Sequence, residues 1–355
     1  PKVESHLNDW RKREEIAESM VPLVGRLYRD HGVVITLYGP SLVHSSTIDI
    51  LKTHRFTRQV LEEELSVFTT FPILQALSKL DLAPTRIDLG KLATRYQSLE
   101  PHVEIDDFIG QALSEIHTDP HATSNYPQDV VLYGFGRIGR MLARILIERS
   151  GGSDKWRLRA VVTRKGERGD LTKRASLLRR DSVHGPFKGT IVVDEEENAL
   201  VANGNMIRFI YADAPEEVDY TAYGIHGAIV LDNTGVWRDT EGLGRHLQAT
   251  GVSKVILTAP GEGDVPNIVY GVNNETIQEE VQILSAASCT TNAIVPVLKA
   301  INDRFQIEDG HIETCHAYTS DQNLIDNYHK KSRRGRGAPL NMVITETAAA
   351  PAVGK

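Results

Sequence analysis

Cysteine is nearly missing from this chain: 355 residues contain two, Cys289 and Cys315. So small a supply excludes a disulfide framework and fits a reducing compartment, so a cytoplasmic location is expected. Long apolar runs are missing too, and none approaches the roughly 20 residues that a membrane-spanning helix requires. The N-terminal stretch is charged and polar, without a signal-peptide pattern. Nor is there a basic excess: 40 Lys and Arg stand against 47 Asp and Glu, a net charge of −7. That balance argues against nucleic acid as a main partner, and Lys330-Lys331-Ser332-Arg333-Arg334 is too short a run to reverse it. The seven His residues from His6 to His121 lack metal-ligand spacing, and no metal is expected. What remains, 41% apolar and 25% charged, is an ordinary globular composition long enough for two or three domains.

Residues 1–120 show helical periodicity and no strand alternation, and read as a small all-α domain. Trp10, Ile16, Met20 and Leu23 fall close to one face of a first helix that Pro22 is expected to kink or break. Further helices are predicted over 46–56, 67–80, 88–96 and 105–117, with Asp88 and Asp106 as N-caps. Residues 121–128, polar and Pro-containing, read as a linker.

The pattern then changes. Asp129-Val130-Val131-Leu132-Tyr133 is a short apolar strand, and Gly134-Phe135-Gly136-Arg137-Ile138-Gly139 leads from it into an amphipathic helix. In that setting G-x-G-x-x-G predicts dinucleotide binding. Gly134 allows the tight turn, Gly136 lets the backbone approach a pyrophosphate, and Gly139 lets helix and strand pack closely. A second strand ends in Thr163-Arg164-Lys165, where an NAD-preferring site would carry Asp or Glu. With no carboxylate to repel a 2′-phosphate, and Arg164 able to bond one, NADP is expected to be accepted as well as NAD. Strands over 191–194, 205–211 and 228–231 alternate with helices, so residues 129–287 form a doubly wound, largely parallel Rossmann-type sheet.

Ser288-Cys289-Thr290-Thr291-Asn292 follows a strand-like run and opens an apolar helical segment. Cys289 thus falls at a helix N-terminus, where unpaired N–H groups and the helix dipole favour a thiolate. His316 lies 27 residues on, after the β-like run 310–315, and one helix plus one connection can bring its ring back to the sulfur. Cys315 would face away from its neighbour on a strand and reads as structural.

These segments together resemble the phosphorylating glyceraldehyde-3-phosphate dehydrogenases, in a bacterial-type variant with an N-terminal helical extension. The resemblance rests on Ala287-Ser288-Cys289-Thr290-Thr291-Asn292, the interval to His316, the stretch from Tyr133 to Arg140, Leu178-Arg179-Arg180-Asp181-Ser182-Val183-His184-Gly185, Asn233-Thr234-Gly235-Val236-Trp237 and Arg333-Arg334-Gly335-Arg336. It covers roughly residues 130–355 and implies an α+β catalytic domain over 288–355, apparently truncated at its C-terminal side. It also implies Cys289 as the nucleophile that forms a thioester and His316 as its base. Thr234-Gly235 would sit beside the nicotinamide ribose, with Thr258 also contacting cofactor. Thr319 would bind the phosphate of the sugar phosphate. Ser288, Thr290 and Thr347 would serve the substrate and inorganic phosphate sites, although Ala348 replaces the Gly usual after Thr347. Relatives are typically homotetramers. Erythrose-4-phosphate dehydrogenase shares the signature, and a regulatory or scaffolding role recruited through residues 1–120 is the alternative from another class.

Overall fold

Two short segments of extended chain organise the N-terminal unit. The computed structural model describes residues 2–82, 85–99, 103–114, 127–149, 156–330 and 333–344. Helix α1 (Lys2–His31) leads to strand β1 (Val34–Thr36), then α2 (Thr47–Phe56), α3 (Val67–Leu77), β2 (Arg86–Asp88), α4 (Leu89–Gln97) and α5 (Ile105–Ser114). Helices therefore dominate as expected, but the all-α reading needs a correction. Strands β1 and β2 pair in parallel, with Ile35 opposite Ile87 and both buried. Three residues are too few to show alternation in a sequence.

Pro22 does not break α1. It lies on the solvent face, where the Glu18 carbonyl left without its bond can meet water. The buried face is Ala17, Met20, Val24 and Leu27, while Trp10 is exposed. Ser46 caps α2 in a capping box with Asp49, and Asp88 caps α4 through the N–H groups of Gly90 and Lys91. Asp106 is no cap, since α5 begins one residue earlier; its carboxylate meets Lys79 at 3.3 Å. The predicted extension of that helix to 117 and most of the linker lie outside the described residues. The apolar side chains of this unit, from Ala17 to Leu113, close into one buried cluster.

The second unit begins with β3 (Gln128–Tyr133), α6 (Arg137–Arg149), β4 (Trp156–Thr163) and α7 (Asp170–Arg179). A small antiparallel pair, β5 (Arg180–Asp181) and β6 (Gly185–Pro186), precedes β7 (Ile191–Asp194), β8 (Ala199–Ala202) and β9 (Asn205–Tyr211). Then come β10 (Ala228–Asp232), α8 (Thr240–Leu247), β11 (Val252–Leu257), β12 (Ile283–Ser285) and α9 (Cys289–Phe305). Eight strands form one sheet in the order β12-β11-β10-β3-β4-β9-β8-β7, parallel from β12 to β9 and antiparallel beyond.

Alternating residues feed the two faces of the sheet. Leu132 packs with Ala143, Ile147 and Leu171, whereas Val131 and Tyr133 join Tyr220, Val230 and Ala249. Helices thus cover both faces, the doubly wound α/β arrangement expected. The strand order reverses beside β3, so the carboxyl ends of β3, β4, β10 and β11 edge the crevice where such sheets take ligands. The strand anticipated over 310–315 does not form: no partner segment pairs with it among the described residues, and its residues are largely exposed. Among the described residues no helix is long and apolar enough to cross a membrane.

Candidate active site

Ser288 sets the start of α9. Its extended backbone (φ −90°, ψ 159°) and its hydroxyl, accepting the Thr291 N–H at 2.9 Å, make it the N-cap. Cys289 is consequently the first helical residue, where N–H groups lack intrahelical partners. Asn292 reaches back to the carbonyls of Ala286 (2.8 Å) and Ser288 (2.9 Å) and fixes the approach to the helix. Ala287, in that approach, adopts φ +59°, which is strained for a residue with a Cβ.

The chain after α9 returns His316 to the sulfur. Cys289 Sγ lies 3.5 Å from His316 Nε2 and 4.0 Å from the Thr290 hydroxyl. The other ring nitrogen, Nδ1, is 2.6 Å from the Ala317 carbonyl, so the hydrogen-bond network places a proton there and leaves Nε2 to exchange one with the thiol. The bond to His316 is the main influence drawing the Cys289 thiol below its ordinary value, with the Thr290 hydroxyl assisting against partial burial. The reciprocal bond, helped by the Ala317 carbonyl, raises His316. An open cavity of about 490 Å³ lies over the pair, lined also by Ala293, Ile294 and Glu313.

Thr319 follows His316 in a tight loop. Its N–H donates to Gln322 (3.0 Å) and its hydroxyl to Asp321, which also pairs with Arg334 at 2.5 Å. Among the described residues no hydrogen bond joins Thr319 to Cys289, and Thr347 lies outside them.

A turn-lined recess, a cradle that would suit a cofactor, lies at the carboxyl edge of the sheet. Gly134 sits at φ +94°, and a Cβ there would approach Thr234 Cγ2 to 2.9 Å. At Gly139 a Cβ would collide with the Gly134 carbonyl, while at Gly136 it would meet only open space. The first bond within α6 runs from Arg140 N–H to Gly136 O (3.0 Å), so the N–H groups of Arg137, Ile138 and Gly139 precede it and suit an anion. The side chain of Phe135 packs edge-on against Phe209 at 5.2 Å, which leaves only its backbone to a ligand. Ile138 is half exposed. Thr163 ends β4, 8% exposed, and its buried hydroxyl finds no partner among the described residues. Arg164 follows in the exposed loop. Thr234 and Gly235 (φ +65°) turn beyond β10, and the Thr258 hydroxyl bonds the carbonyl of Asp232 (3.0 Å) and the Asn233 side chain (3.1 Å). The orphaned hydroxyl, the open space at Gly136 and the free helix end fit a dinucleotide.

Comparison with known proteins gives the same outline. A family model described as glyceraldehyde 3-phosphate dehydrogenase, NAD binding domain, matches residues 128–240, and one described as the C-terminal domain of the same enzyme matches residues 288–355. A glyceraldehyde-3-phosphate dehydrogenase-like protein of Pseudomonas aeruginosa is 57% identical over 338 residues, which is 95% of this chain and 73% of that protein. The chain belongs to the glyceraldehyde-3-phosphate dehydrogenase family. Members of this family are NAD(P)-dependent oxidoreductases acting on sugar phosphate and inorganic phosphate. The enzymes of Thermotoga maritima (39% identical over 224 residues) and Streptococcus pyogenes (37% over 227) each match 63% of this chain, which spans 64% of their length. A match of 338 residues in a chain of 355 includes most of the N-terminal unit, so the Pseudomonas relative shares it. The family's C-terminal model begins one residue before Cys289.

Sequence reasoning missed two site neighbours. Asp232, a buried carboxylate between an apolar strand and the Thr234 turn, had no motif to mark it. Arg334 lies within the Arg333-Arg334-Gly335-Arg336 stretch, but its ion pair with Asp321, five residues beyond His316, depends on a loop closure that spacing does not reveal.

Proposed function

We propose that this protein catalyses the phosphorylating oxidation of glyceraldehyde 3-phosphate through a cysteine thioester, and that the observation carrying this reading is the 3.5 Å pairing of Cys289 with His316 at the start of α9. Cys289, drawn toward thiolate, attacks the aldehyde carbon and forms a C–S bond. The oxygen charge that develops is met by the Cys289 backbone N–H and the His316 ring. His316 Nε2 takes the hydroxyl proton of the resulting hemithioacetal, a general-base role suited to an imidazole near neutrality. Gly134, Phe135, Gly136, Arg137, Ile138, Gly139, Thr163, Arg164, Thr234, Gly235 and Thr258 would hold a nicotinamide cofactor, which would accept the hydride leaving the hemithioacetal carbon and so leave a thioester on Cys289. Inorganic phosphate then attacks the thioester carbon and the Cys289 sulfur leaves, giving an acyl phosphate. Ser288 and Thr347 serve that phosphate, Thr319 the one on the sugar, and Thr290 belongs to the same substrate and phosphate set.

The reading extends to a homotetramer in the cytoplasm, without nucleic acid or membrane partners, supported by family membership, two free cysteines and the acidic charge balance. Residues 1–120 are proposed as a separate module joined through 121–128, with the dinucleotide-binding unit over 129–287 and the catalytic unit over 288–355. The separate buried cluster from Ala17 to Leu113 supports the first boundary.

Initial rates with glyceraldehyde 3-phosphate or erythrose 4-phosphate, with NAD or NADP, and with or without inorganic phosphate test the proposal. Phosphate-dependent turnover of the triose, abolished in Cys289→Ser, is expected. Phosphate-independent turnover, or preference for the tetrose, would refute it.

A further inference from the structure

Two of the threonines expected at the cofactor, Thr234 and Thr258, hang from one buried residue. Asp232 closes β10 and has no exposed surface. Its Oδ1 accepts the backbone N–H and the hydroxyl of Thr234, each at 2.7 Å. Its carbonyl accepts the N–H of Thr258 at 2.9 Å and the hydroxyl at 3.0 Å. Thr234 Oγ1 in turn accepts the Val236 N–H at 3.2 Å, which closes the turn. The second carboxylate oxygen of Asp232 lies 3.0 Å from Nε2 of His246, itself 1% exposed. Tyr133 and Trp237 stand edge-on to that imidazole at 4.7 and 5.8 Å and leave it little room to turn.

Such a site is costly to build. A carboxylate out of water needs every oxygen bonded, and among the described residues no Lys or Arg pairs with Asp232. Replacing a buried polar pair by packed apolar side chains is often neutral or stabilising, so the fold alone does not account for the pair. What it does account for is orientation. The Thr234 hydroxyl, its hydrogen committed to Asp232, keeps a fixed direction.

We infer that Asp232, oriented by His246, is a positioning residue that fixes the Thr234-Gly235 turn and Thr258 for the nicotinamide end of the dinucleotide. This rests on the dehydrogenase reading proposed above. Asp232→Asn retains one acceptor for Thr234 but sets an amide against the His246 N–H, while Asp232→Glu retains the carboxylate. His246→Gln can still offer a donor near Nε2, and His246→Leu cannot.

The test combines three measurements on the full chain: NADH and NADPH binding by calorimetry, amide hydrogen exchange of the Thr234 peptide without cofactor, and iodoacetamide labelling of Cys289. Asp232→Asn and His246→Leu should weaken cofactor binding at least tenfold and speed exchange at Thr234, with Cys289 labelling unchanged. Asp232→Glu and His246→Gln should recover part of both effects. Cofactor affinity within twofold of the parent in folded Asp232→Asn overturns the inference. So does loss of binding only together with an equal loss of melting temperature and labelling rate. If Asp232→Asn does not fold, the His246 pair decides, and equal binding by the Leu and Gln variants overturns it. A parent chain that binds neither cofactor would refute the dehydrogenase reading instead, while exchange at Thr234 still decides whether Asp232 holds the turn.

Discussion

The three glycines of the cradle should separate folding from binding. At Gly139 an added methyl meets the Gly134 carbonyl, a backbone atom that cannot rotate aside, so α6 must move off β3. Overpacking of that kind costs about 1–3 kcal/mol. For a unit of roughly 150–250 residues this is a fall in melting temperature of about 2–12 °C. Gly136 is the opposite case. It is not among the left-handed glycines, and its added methyl touches nothing within 4 Å. Losing glycine's freedom in the unfolded chain there stabilises by about 0.4–1 kcal/mol. The same methyl stands where a pyrophosphate would approach the first turn of α6, so dinucleotide affinity should drop at least tenfold, about 1.4 kcal/mol. Gly134→Ala should lose both, since φ +94° is strained for Ala and Thr234 crowds it. Differential scanning calorimetry and NADH titration of the three variants read the two effects apart. A Gly136→Ala protein that binds NADH normally, or a Gly139→Ala protein that melts with the parent, would refute the reasoning.

Three further outcomes are expected. Burial holds the His54 imidazole below its ordinary value of 6.5, Nε2 being 2.8 Å from the Thr70 hydroxyl. The unfolded chain therefore binds the extra proton first, and stability of the N-terminal unit should fall as pH drops through 6.5; a urea midpoint that is flat between pH 7.5 and 5.5 would contradict this. Iodoacetamide should label Cys289 ahead of Cys315, and His316→Gln should slow that labelling at neutral pH, as mass spectrometry of timed digests would show. Arg164→Ala should lower kcat/KM with NADP about tenfold to hundredfold, the worth of a charge-assisted bond of roughly 1.5–3 kcal/mol, and spare NAD; Thr163→Asp should penalise NADP alone, and a parent that rejects NADP would show the pocket closed.

The cradle was legible because its parts are local. A strand, three glycines and a helix within 22 residues of chain dictate one turn geometry, and β3 and α6 run as read. The position of Cys289 followed equally from the Ser288 cap. Where contacts are distant, the sequence was silent or misleading. Strands β1 and β2 exist through each other, 52 positions apart, as Val34 and Arg86 show. The run at 310–315 has strand composition, yet composition supplies no neighbour to bond. Pro22 looked like a breaker because a sequence does not say which face of α1 meets water. Asp232 at the end of β10 and His246 on α8 meet across 14 positions, and neither side chain advertises burial.

The two halves of the site differ in how far apart their parts lie along the chain. Cys289 and His316 close a loop of 27 residues, whereas the Asn233 amide reaches the Gly134 carbonyl across 99. Closing the longer loop costs about 1 kcal/mol more in chain entropy, and it cannot happen until β3 and β10 are paired. By chain entropy, then, the sulfur–imidazole pair is the easier of the two to close and the cradle the harder, so loosening the sheet should cost dinucleotide affinity before it separates Cys289 from His316.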